Sequence, residues 1–378
     1  MSLECDAGSH FDETGGSYVY TREAFGEFTG FQVGWMSWLT RVAAGAALWN
    51  GLAQAFTFVV PGAAEGATRV AIISVPMAVN LWINVSGVKN GARLSVGLTI
   101  AKILPLLFLI AVGLPAIDAS LVLPMPAPDA KGLGEAALLL LFAYAGFEIT
   151  AANAGEYVNP KRDVPFALIM CIGIVTLLYT LIQLVALGTL PDLASKTAGT
   201  PLADSAVVVA GVWAGLLMTI GGMFSIGGSA ATTTFVGPRY LYALVKDGFG
   251  PAVLSRLHAR YRTPAWAIVT QEAVIWVLAL SGSFVQLAML SIIARIVTYI
   301  GTAAAVPILR RTRPTTEHTI LLPGGPLVPA LALVLCVAFL ASATAANLVA
   351  GLIALAVGTA VFVLRRKAPG IDRSPSEV

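Results

Sequence analysis

Charged residues are scarce in this chain. Only 11% of its 378 residues are Asp, Glu, Lys or Arg, whereas 57% are hydrophobic. A soluble domain has about 25% charged residues, and a globule of this length cannot cover its surface with so few charges. The composition excludes an ordinary water-soluble protein and predicts an integral membrane protein surrounded by the lipid bilayer.

Cysteine and histidine are also rare. The three cysteines are far apart and form no CxxC pair, and the three histidines lie outside the apolar segments. This spacing gives no disulfide framework and no cluster of metal ligands. The chain also lacks an HExxH motif and a nucleophile elbow. We therefore expect no metal, no cofactor and no catalytic residues, and we do not expect an enzyme.

Long apolar runs are what the sequence has in abundance. Ten stretches of about 20 residues are long enough to cross the hydrocarbon core as helices. They are Phe31–Val60, Ala67–Val85, Leu94–Leu114, Gly134–Tyr157, Pro165–Leu190, Ser205–Val236, Pro264–Leu280, Phe284–Leu309, Leu327–Ala345 and Ala346–Leu364. The last two form one continuous apolar run, which we divide into a hairpin.

The positions of lysine and arginine define an orientation for these spans. With ten spans, 17 of the 23 basic residues lie on one side of the membrane, three lie on the other side, and three lie within spans. Cytoplasmic loops retain Lys and Arg, so both termini are predicted to be cytoplasmic in a multi-pass protein of the plasma (inner) membrane. Topology explains the positive charge, and no nucleic-acid partner is expected.

The fourth span carries polar groups at mid-membrane depth. Gly146 and Glu148 lie near its centre, where a carboxylate costs about 2.5–3.5 kcal/mol and normally faces a cavity or a partner. The small residues Ala143, Ala145 and Gly146 allow the backbone to leave helical geometry there. Unwound backbone at this depth is tolerated where it lines a cavity, and transporters use it to bind solute. The alternative is that the small residues are packing contacts and Glu148 forms a structural pair.

The same segment resembles a known family. Phe142-Ala-Tyr-Ala-Gly-Phe-Glu148 is similar to the discontinuous sixth span of the amino acid–polyamine–organocation (APC) permeases. Gly155–Pro165 is similar to the loop that follows that span. Further matches keep the family's order: Gly15–Gly26, Gly87–Lys89, Arg239–Ala243, Lys246–Gly248 and Arg262–Pro264.

The resemblance implies an all-α integral membrane fold, namely a leucine-transporter-type inverted-repeat helical bundle around a midplane site. It implies transport of an amino acid or a polyamine by alternating access, by proton-coupled symport or by exchange. The substrate-binding residues implied by the family motif are Phe142, Ala143, Tyr144, Ala145, Gly146 and Glu148.

The family has twelve spans, and the match begins at the close of its second span, so the first repeat is expected to be incomplete. An alternative reading is therefore a truncated, transport-incompetent permease fragment. The expected parts are a cytoplasmic segment with a remnant of the second family span (1–27), three spans of the first repeat (28–133), a complete second repeat of five spans (134–310), a C-terminal hairpin (311–364) and a cytoplasmic tail (365–378).

Three further polar positions have roles implied by the family. Lys102 lies in the third span, about 13 Å from its cytoplasmic end at 1.5 Å per residue. Similar proton-driven permeases place a lysine there, so Lys102 and Glu148 are the expected proton-coupling residues; the alternative for Lys102 is snorkelling to the interface. Ser225 and Ser229 are expected beside the cation site, with helix packing as the alternative.

Glu272 and Arg295 are charged residues in consecutive spans. They flank the short turn Ser281–Ser283, which places them at similar depths in an antiparallel hairpin. We predict a structural ion pair between the two helices. In the alternative, each residue faces a different neighbour.

Overall fold

The structure is a computed structural model, and it describes residues 16–87, 91–123, 127, 129–146, 160–191, 193, 200–312 and 325–366. Those residues form helices and contain no β-strand. In chain order the α-helices are α1 Ser17–Phe25, α2 Glu27–Phe56, α3 Gly66–Ser86, α4 Gly91–Gly113, α5 Ala119–Val122, α6 Ala130–Ala143, α7 Pro160–Thr189, α8 Pro201–Ala210, α9 Val212–Lys246, α10 Ala265–Ser281, α11 Phe284–Thr312, α12 Leu327–Ala341 and α13 Ala345–Arg366. Two short 3₁₀ helices cover Leu114–Ala116 and Ala252–Ser255.

The helices coincide with the apolar stretches that the sequence predicted as spans. Most helix ends lie within a few residues of the predicted ends, because hydrophobic length determines how much chain the bilayer can hold. α12 ends at Ala341 and α13 begins at Ala345, so the last apolar run contains two helices, as its division into two spans required.

The predicted span Ser205–Val236 needs a correction, because two helices share it. α8 ends at Ala210, and Gly211 adopts φ +88° and ψ +178°, a conformation that interrupts the helix and favours glycine. α9 then begins at Val212 and continues to Lys246, ten residues past the predicted end. The apolar run was read as one rod because hydropathy carries no signal for a single-residue break.

Length and composition mark several of these helices as membrane spans. Within the described part of the chain, five helical segments are long and apolar enough to cross a bilayer: Gly66–Ser86, Phe166–Thr189, Val212–Lys246, Phe284–Thr312 and Ala345–Arg365. Four shorter apolar segments accompany them: Lys102–Ala116, Pro201–Ala210, Ala265–Ser281 and Leu327–Ala341.

α2 forms the centre of the bundle. It packs against α1, α9, α10 and α11, and most of its side chains are buried. The buried hydroxyls of Ser37 and Thr40 each donate to the backbone carbonyl one turn earlier, at 2.8 Å. Such bonds allow polar residues to occupy an apolar helix without leaving a donor unpaired.

The outer surface of the bundle is apolar. On α7, Phe166, Ile169 and Leu177 are each more than 60% exposed. α13 exposes Leu352 and Leu364 to a similar degree. A water-soluble monomer rarely leaves so many large apolar side chains uncovered, whereas lipid tails solvate them without cost.

Candidate functional site

The apolar helix α6 stops in the middle of its predicted span. Its last helical residue is Ala143, although no proline follows and the residues before it are leucines. Tyr144 has φ −86° and ψ −1°, and Gly146 adopts φ +117°, which glycine accommodates far better than any residue with a Cβ. The helix therefore ends at the small residues where the sequence predicted a departure from helical geometry. Residues 147–159, including Glu148, lie outside the described residues.

Side chains of α7 satisfy the polar groups at this helix end. The Tyr179 hydroxyl donates to the Ala143 carbonyl oxygen at 3.1 Å, and the Tyr144 hydroxyl donates to Thr176 Oγ1 at 2.9 Å. The two tyrosine rings meet edge to face with centroids 5.4 Å apart. A carbonyl released from a helix at membrane depth needs such a donor, because lipid offers none. Sequence reasoning did not identify Thr176 and Tyr179, since nothing in the local pattern of α7 marks them.

The two aromatic residues of the predicted substrate site point in different directions. Phe142 packs edge to face on Phe284 of α11, with centroids 5.8 Å apart, and contacts the core around α2 and α10. Tyr144 lies against α7 instead. The helix end therefore presents Phe142 toward the interior of the bundle, while Tyr144 fixes the break to its neighbour.

Lys102 lies at the midpoint of α4, eleven residues from Gly91 and eleven from Gly113. Its side chain is half-buried and forms no hydrogen bond or ion pair with any other described residue. Three residues further on, Pro105 packs on Gly221 of α9, where an added Cβ would approach the ring to 2.6 Å. This contact places α4 directly against α9.

Ser225 and Ser229 follow Gly221 along α9 by one and two turns, and both are half-buried. In the predicted topology α4 and α9 are antiparallel, so Lys102 and Ser225 lie on the same side of the Pro105–Gly221 contact, about 4.5 and 6 Å from it. Lys102 and Ser225 are thus at similar depth along one helix interface, and Ser229 lies about 6 Å further along α9.

The predicted ion pair between Glu272 and Arg295 does not form. Glu272 on α10 faces α9, where the Thr234 hydroxyl donates to its Oε1 atom. Arg295 on α11 lines a different cavity, beside Arg41 and Thr298. The alternative to the pair is therefore the correct one, because the two helices turn these residues toward different neighbours even though their depths agree.

Sequence analysis also missed a buried polar network around Glu272. The Asn84 side-chain amide donates to Asn80 Oδ1 at 3.0 Å, and the Asn80 amide donates to Thr234 Oγ1 at 2.7 Å. The neighbouring Gln271 donates to the backbone carbonyl of Thr233 at 3.1 Å. The network joins α3, α9 and α10 through residues whose sequence positions are more than 30 apart.

The cavity beside Arg295 is small and polar. Its volume is about 30 Å³, which is room for one or two water molecules and not for an amino acid. Hydroxyl groups from α1, α2 and α11 line it, and the Ser37 and Thr298 hydroxyls approach each other to 3.3 Å.

A second cavity, of about 260 Å³, lies between α6, the start of α11 and the α12–α13 turn, and it is large enough for a small organic molecule. Its lining includes Leu138, Val285 and Met289 together with Glu135 and Asn347.

A polar cluster joins α1 to the end of α9 on the predicted cytoplasmic side. Arg22 forms an ion pair with Asp247, and the Tyr18 hydroxyl donates to the same carboxylate. Burial, followed by the hydrogen bond to Asp247, raises the pKa of Tyr18 well above its usual value. The cluster brings together two segments, Gly15–Gly26 and Lys246–Gly248, that the family resemblance quoted separately.

A bundle of long apolar helices, one of which ends inside its predicted span, is the architecture of a multi-pass membrane transporter. A family model for amino acid permeases matches residues 2–364. The chain therefore belongs to the amino acid permease family, which is a family of transporters and not of enzymes.

Similar proteins of known name agree with this assignment. The chain is 25% identical over 374 residues to the branched-chain amino acid permease BcaP of Bacillus subtilis, covering 93% of this chain and 79% of that protein. It is 25% identical over 368 residues to the methylthioribose transporter of the same organism, with the same coverage. It is 29% identical over 335 residues to the serine/threonine exchanger SteT of B. subtilis, covering 87% of this chain and 76% of that protein.

Proposed function

We propose that this protein carries an amino acid or a related amine across the plasma (inner) membrane by alternating access, driven by proton symport or by exchange. The proposal includes the predicted orientation, with both termini in the cytoplasm. The observation that carries the proposal is the end of α6 at Ala143, inside its predicted span, because unwound backbone within the membrane exposes peptide groups that a small zwitterion can bind.

The geometry of the break supports a binding role for residues 142–146. The break lies at the carbonyl end of α6, and this negative end of the helix dipole favours the cationic amine of a solute. Phe142 faces the bundle interior, where it offers an apolar surface for a side chain. In this proposal Ala143, Ala145 and Gly146 keep the backbone accessible, and Glu148 binds the amine or the proton.

Proton coupling is assigned in the proposal to Lys102 together with Glu148. Lys102 is half-buried at the midpoint of α4 and has no ionic partner in the described part of the chain. In the proposal Ser225, at similar depth on α9, and Ser229, one turn further along, stand beside the coupling site.

The names of the relatives suggest which solutes to test first. BcaP is named for branched-chain amino acids and SteT for serine and threonine. Purified protein in liposomes should accumulate at least one labelled amino acid or polyamine when the outside is more acidic than the inside. Dissipating the pH gradient with a protonophore should abolish accumulation by a symporter and leave counterflow exchange intact.

Glu148→Gln tests the role given to the acid. We expect the initial uptake rate of this variant to be at least tenfold lower than that of the unaltered protein, whereas Glu65→Gln should transport at the normal rate. Glu65 is the matched control because it is an exposed acid at the start of α3 whose side chain makes no capping hydrogen bond. Undiminished uptake by Glu148→Gln would remove that residue from the mechanism. No uptake of any amine by the unaltered protein would favour the transport-incompetent alternative.

A further inference from the structure

Glu272 is the most deeply buried acid in the described part of the chain. It lies near the middle of α10, and only 3% of the residue is exposed. The Thr234 hydroxyl donates to Oε1, while Oε2 is buried and has no hydrogen-bond partner among the described residues. One carboxyl oxygen of Glu272 therefore accepts a hydrogen bond, and the other has no partner among the described residues.

A chain of hydrogen bonds leads to Glu272: Asn84 donates to Asn80, Asn80 donates to Thr234, and Thr234 donates to Glu272 Oε1. The Thr234 hydroxyl also lies 3.3 Å from the Ala230 carbonyl oxygen, which is its second possible acceptor. A hydroxyl has a single proton to donate, so Thr234 supplies one hydrogen bond and no more. An ionised carboxylate accepts several hydrogen bonds when it is buried, and this network provides one.

Cations do not complete the site within the residues that the structure describes. α10 packs against α2, α3, α9 and the 3₁₀ helix 252–255. The ionisable side chains on these elements are Glu27, Arg41, Arg69, Arg239, Tyr240, Tyr242 and Lys246. None of them forms a hydrogen bond or an ion pair with Glu272.

The arginines among them contact other groups. Arg69 donates to the carbonyl oxygens of Ala279 and Gly282 at 2.8 Å each, at the far end of α10. The guanidinium of Arg239 lies 4.2 Å from the centroid of the Phe235 ring. Arg41 lines the small polar cavity beside Arg295. The negative charge of an ionised Glu272 would therefore have no counter-ion among the described residues.

A buried carboxylate with one hydrogen bond and no counter-ion is far less stable than the neutral acid. We propose that Glu272 is a proton-binding site: Oε2 carries a proton while the α3–α9–α10 interface is dry and releases it to water when that interface opens. The proton leaves as hydronium, and the carboxylate regains it from water on the opposite side of the cycle. This inference rests on the proposed transport function and gives Glu272 a proton besides those assigned to Lys102 and Glu148, so Glu272 contributes its own step to the pH dependence of uptake.

Infrared spectroscopy tests directly whether Glu272 carries a proton, and it does not depend on a transport assay. Near neutral pH the unaltered protein should show the carbonyl stretching band of a protonated carboxyl in an apolar environment. Glu272→Gln should remove that band, whereas Glu65→Gln should leave it. A difference spectrum in which Glu272→Gln removes no such band would overturn the proposal, whatever the transport assay shows.

The pH profile of uptake tests the functional part. One titrating proton changes the rate by up to tenfold per pH unit on the far side of its midpoint. Glu272→Gln, which mimics the neutral acid, should fold and should give a shallower profile than the unaltered protein, because the step that belongs to Glu272 is lost. A Glu272→Gln profile as steep as that of the unaltered protein, or an unaltered protein with a flat profile, contradicts the proposal.

Thr234→Val keeps the proposal testable if Glu272→Gln does not fold. Removing the hydroxyl takes away the one hydrogen bond that favours the ionised form, so the midpoint of the profile should move to higher pH. A purely structural role for the network would change the amount of folded protein and leave the midpoint unmoved. Absence of uptake by the unaltered protein would count against the transport function, while the infrared result would still decide the proton site.

Discussion

Gly146 offers the sharpest perturbation of the helix break. Its φ of +117° is one that residues with a Cβ rarely adopt, and a Cβ added there would meet no atom within 4 Å. Gly146→Ala therefore changes backbone preference and causes no steric clash. A non-glycine residue in such a sparsely populated region costs about 1–3 kcal/mol. At 1.4 kcal/mol per factor of ten, the interrupted geometry should become roughly 5- to 150-fold less populated.

The assay is the initial rate of uptake by equal amounts of folded protein in liposomes. If the interrupted geometry binds the solute, Gly146→Ala should lower uptake by a comparable factor, on the order of 5- to 150-fold. Gly173→Ala is the matched control, because Gly173 also has no atom within 4 Å of an added Cβ and lies inside the regular helix α7. Alanine is the better helix former, so this control should be neutral or slightly stabilising.

Equal uptake by Gly146→Ala and Gly173→Ala would refute the reasoning. It would mean that the conformation of Gly146 has no influence on the rate-limiting step, and the binding role of residues 142–146 would lose its support. A loss of folded protein in Gly146→Ala alone is a separate outcome, which size-exclusion chromatography detects before the transport measurement.

Three further substitutions test other contacts. Tyr179→Phe removes the donor to the Ala143 carbonyl, which should destabilise the break by about 1–3 kcal/mol and lower uptake, with the melting temperature as the check on folding. Arg69→Lys cannot reproduce the fork of bonds to the end of α10, so we expect a loss of about 2–3 kcal/mol in the free energy of unfolding, measured by denaturation in detergent. Gly237→Ala would place a Cβ 2.2 Å from the Gln271 side chain, and the overpacking should cost about 1–3 kcal/mol in the same measurement. An unchanged denaturation midpoint in Arg69→Lys or in Gly237→Ala would contradict the contact that the substitution tests.

Sequence reasoning predicted the elements whose signal is local. Hydrophobic length located the spans, and the division of the last apolar run agrees with the gap between Ala341 and Ala345. The small residues around Gly146 predicted where α6 leaves helical geometry, and the described helix ends at Ala143. The positions of the spans and the end of α6 both depend on the hydrophobicity and size of residues that are adjacent in the chain, and these can be read from the sequence.

The errors concern rotation about helix axes and single-residue breaks. The sequence placed Glu272 and Arg295 at similar depths in the membrane. Depth does not determine the rotation of each helix about its axis, so it does not predict which neighbour each side chain faces. Gly211 lies inside one predicted span, Ser205–Val236, although its backbone separates α8 from α9. The network of Asn80 and Thr234 joins residues 154 positions apart, and such a pairing follows from tertiary packing alone.

The central claim is that the peptide groups at the end of α6 line a water-filled site for the solute. Cysteine labelling in intact membranes tests it most directly, in a background that lacks the three native cysteines. Ala145→Cys should react with a charged, membrane-impermeant thiol reagent, and a transported amino acid should slow the reaction. Leu140→Cys, one turn or so earlier at a half-exposed apolar position, should not react. An Ala145→Cys protein that resists the reagent while it transports normally would contradict the account.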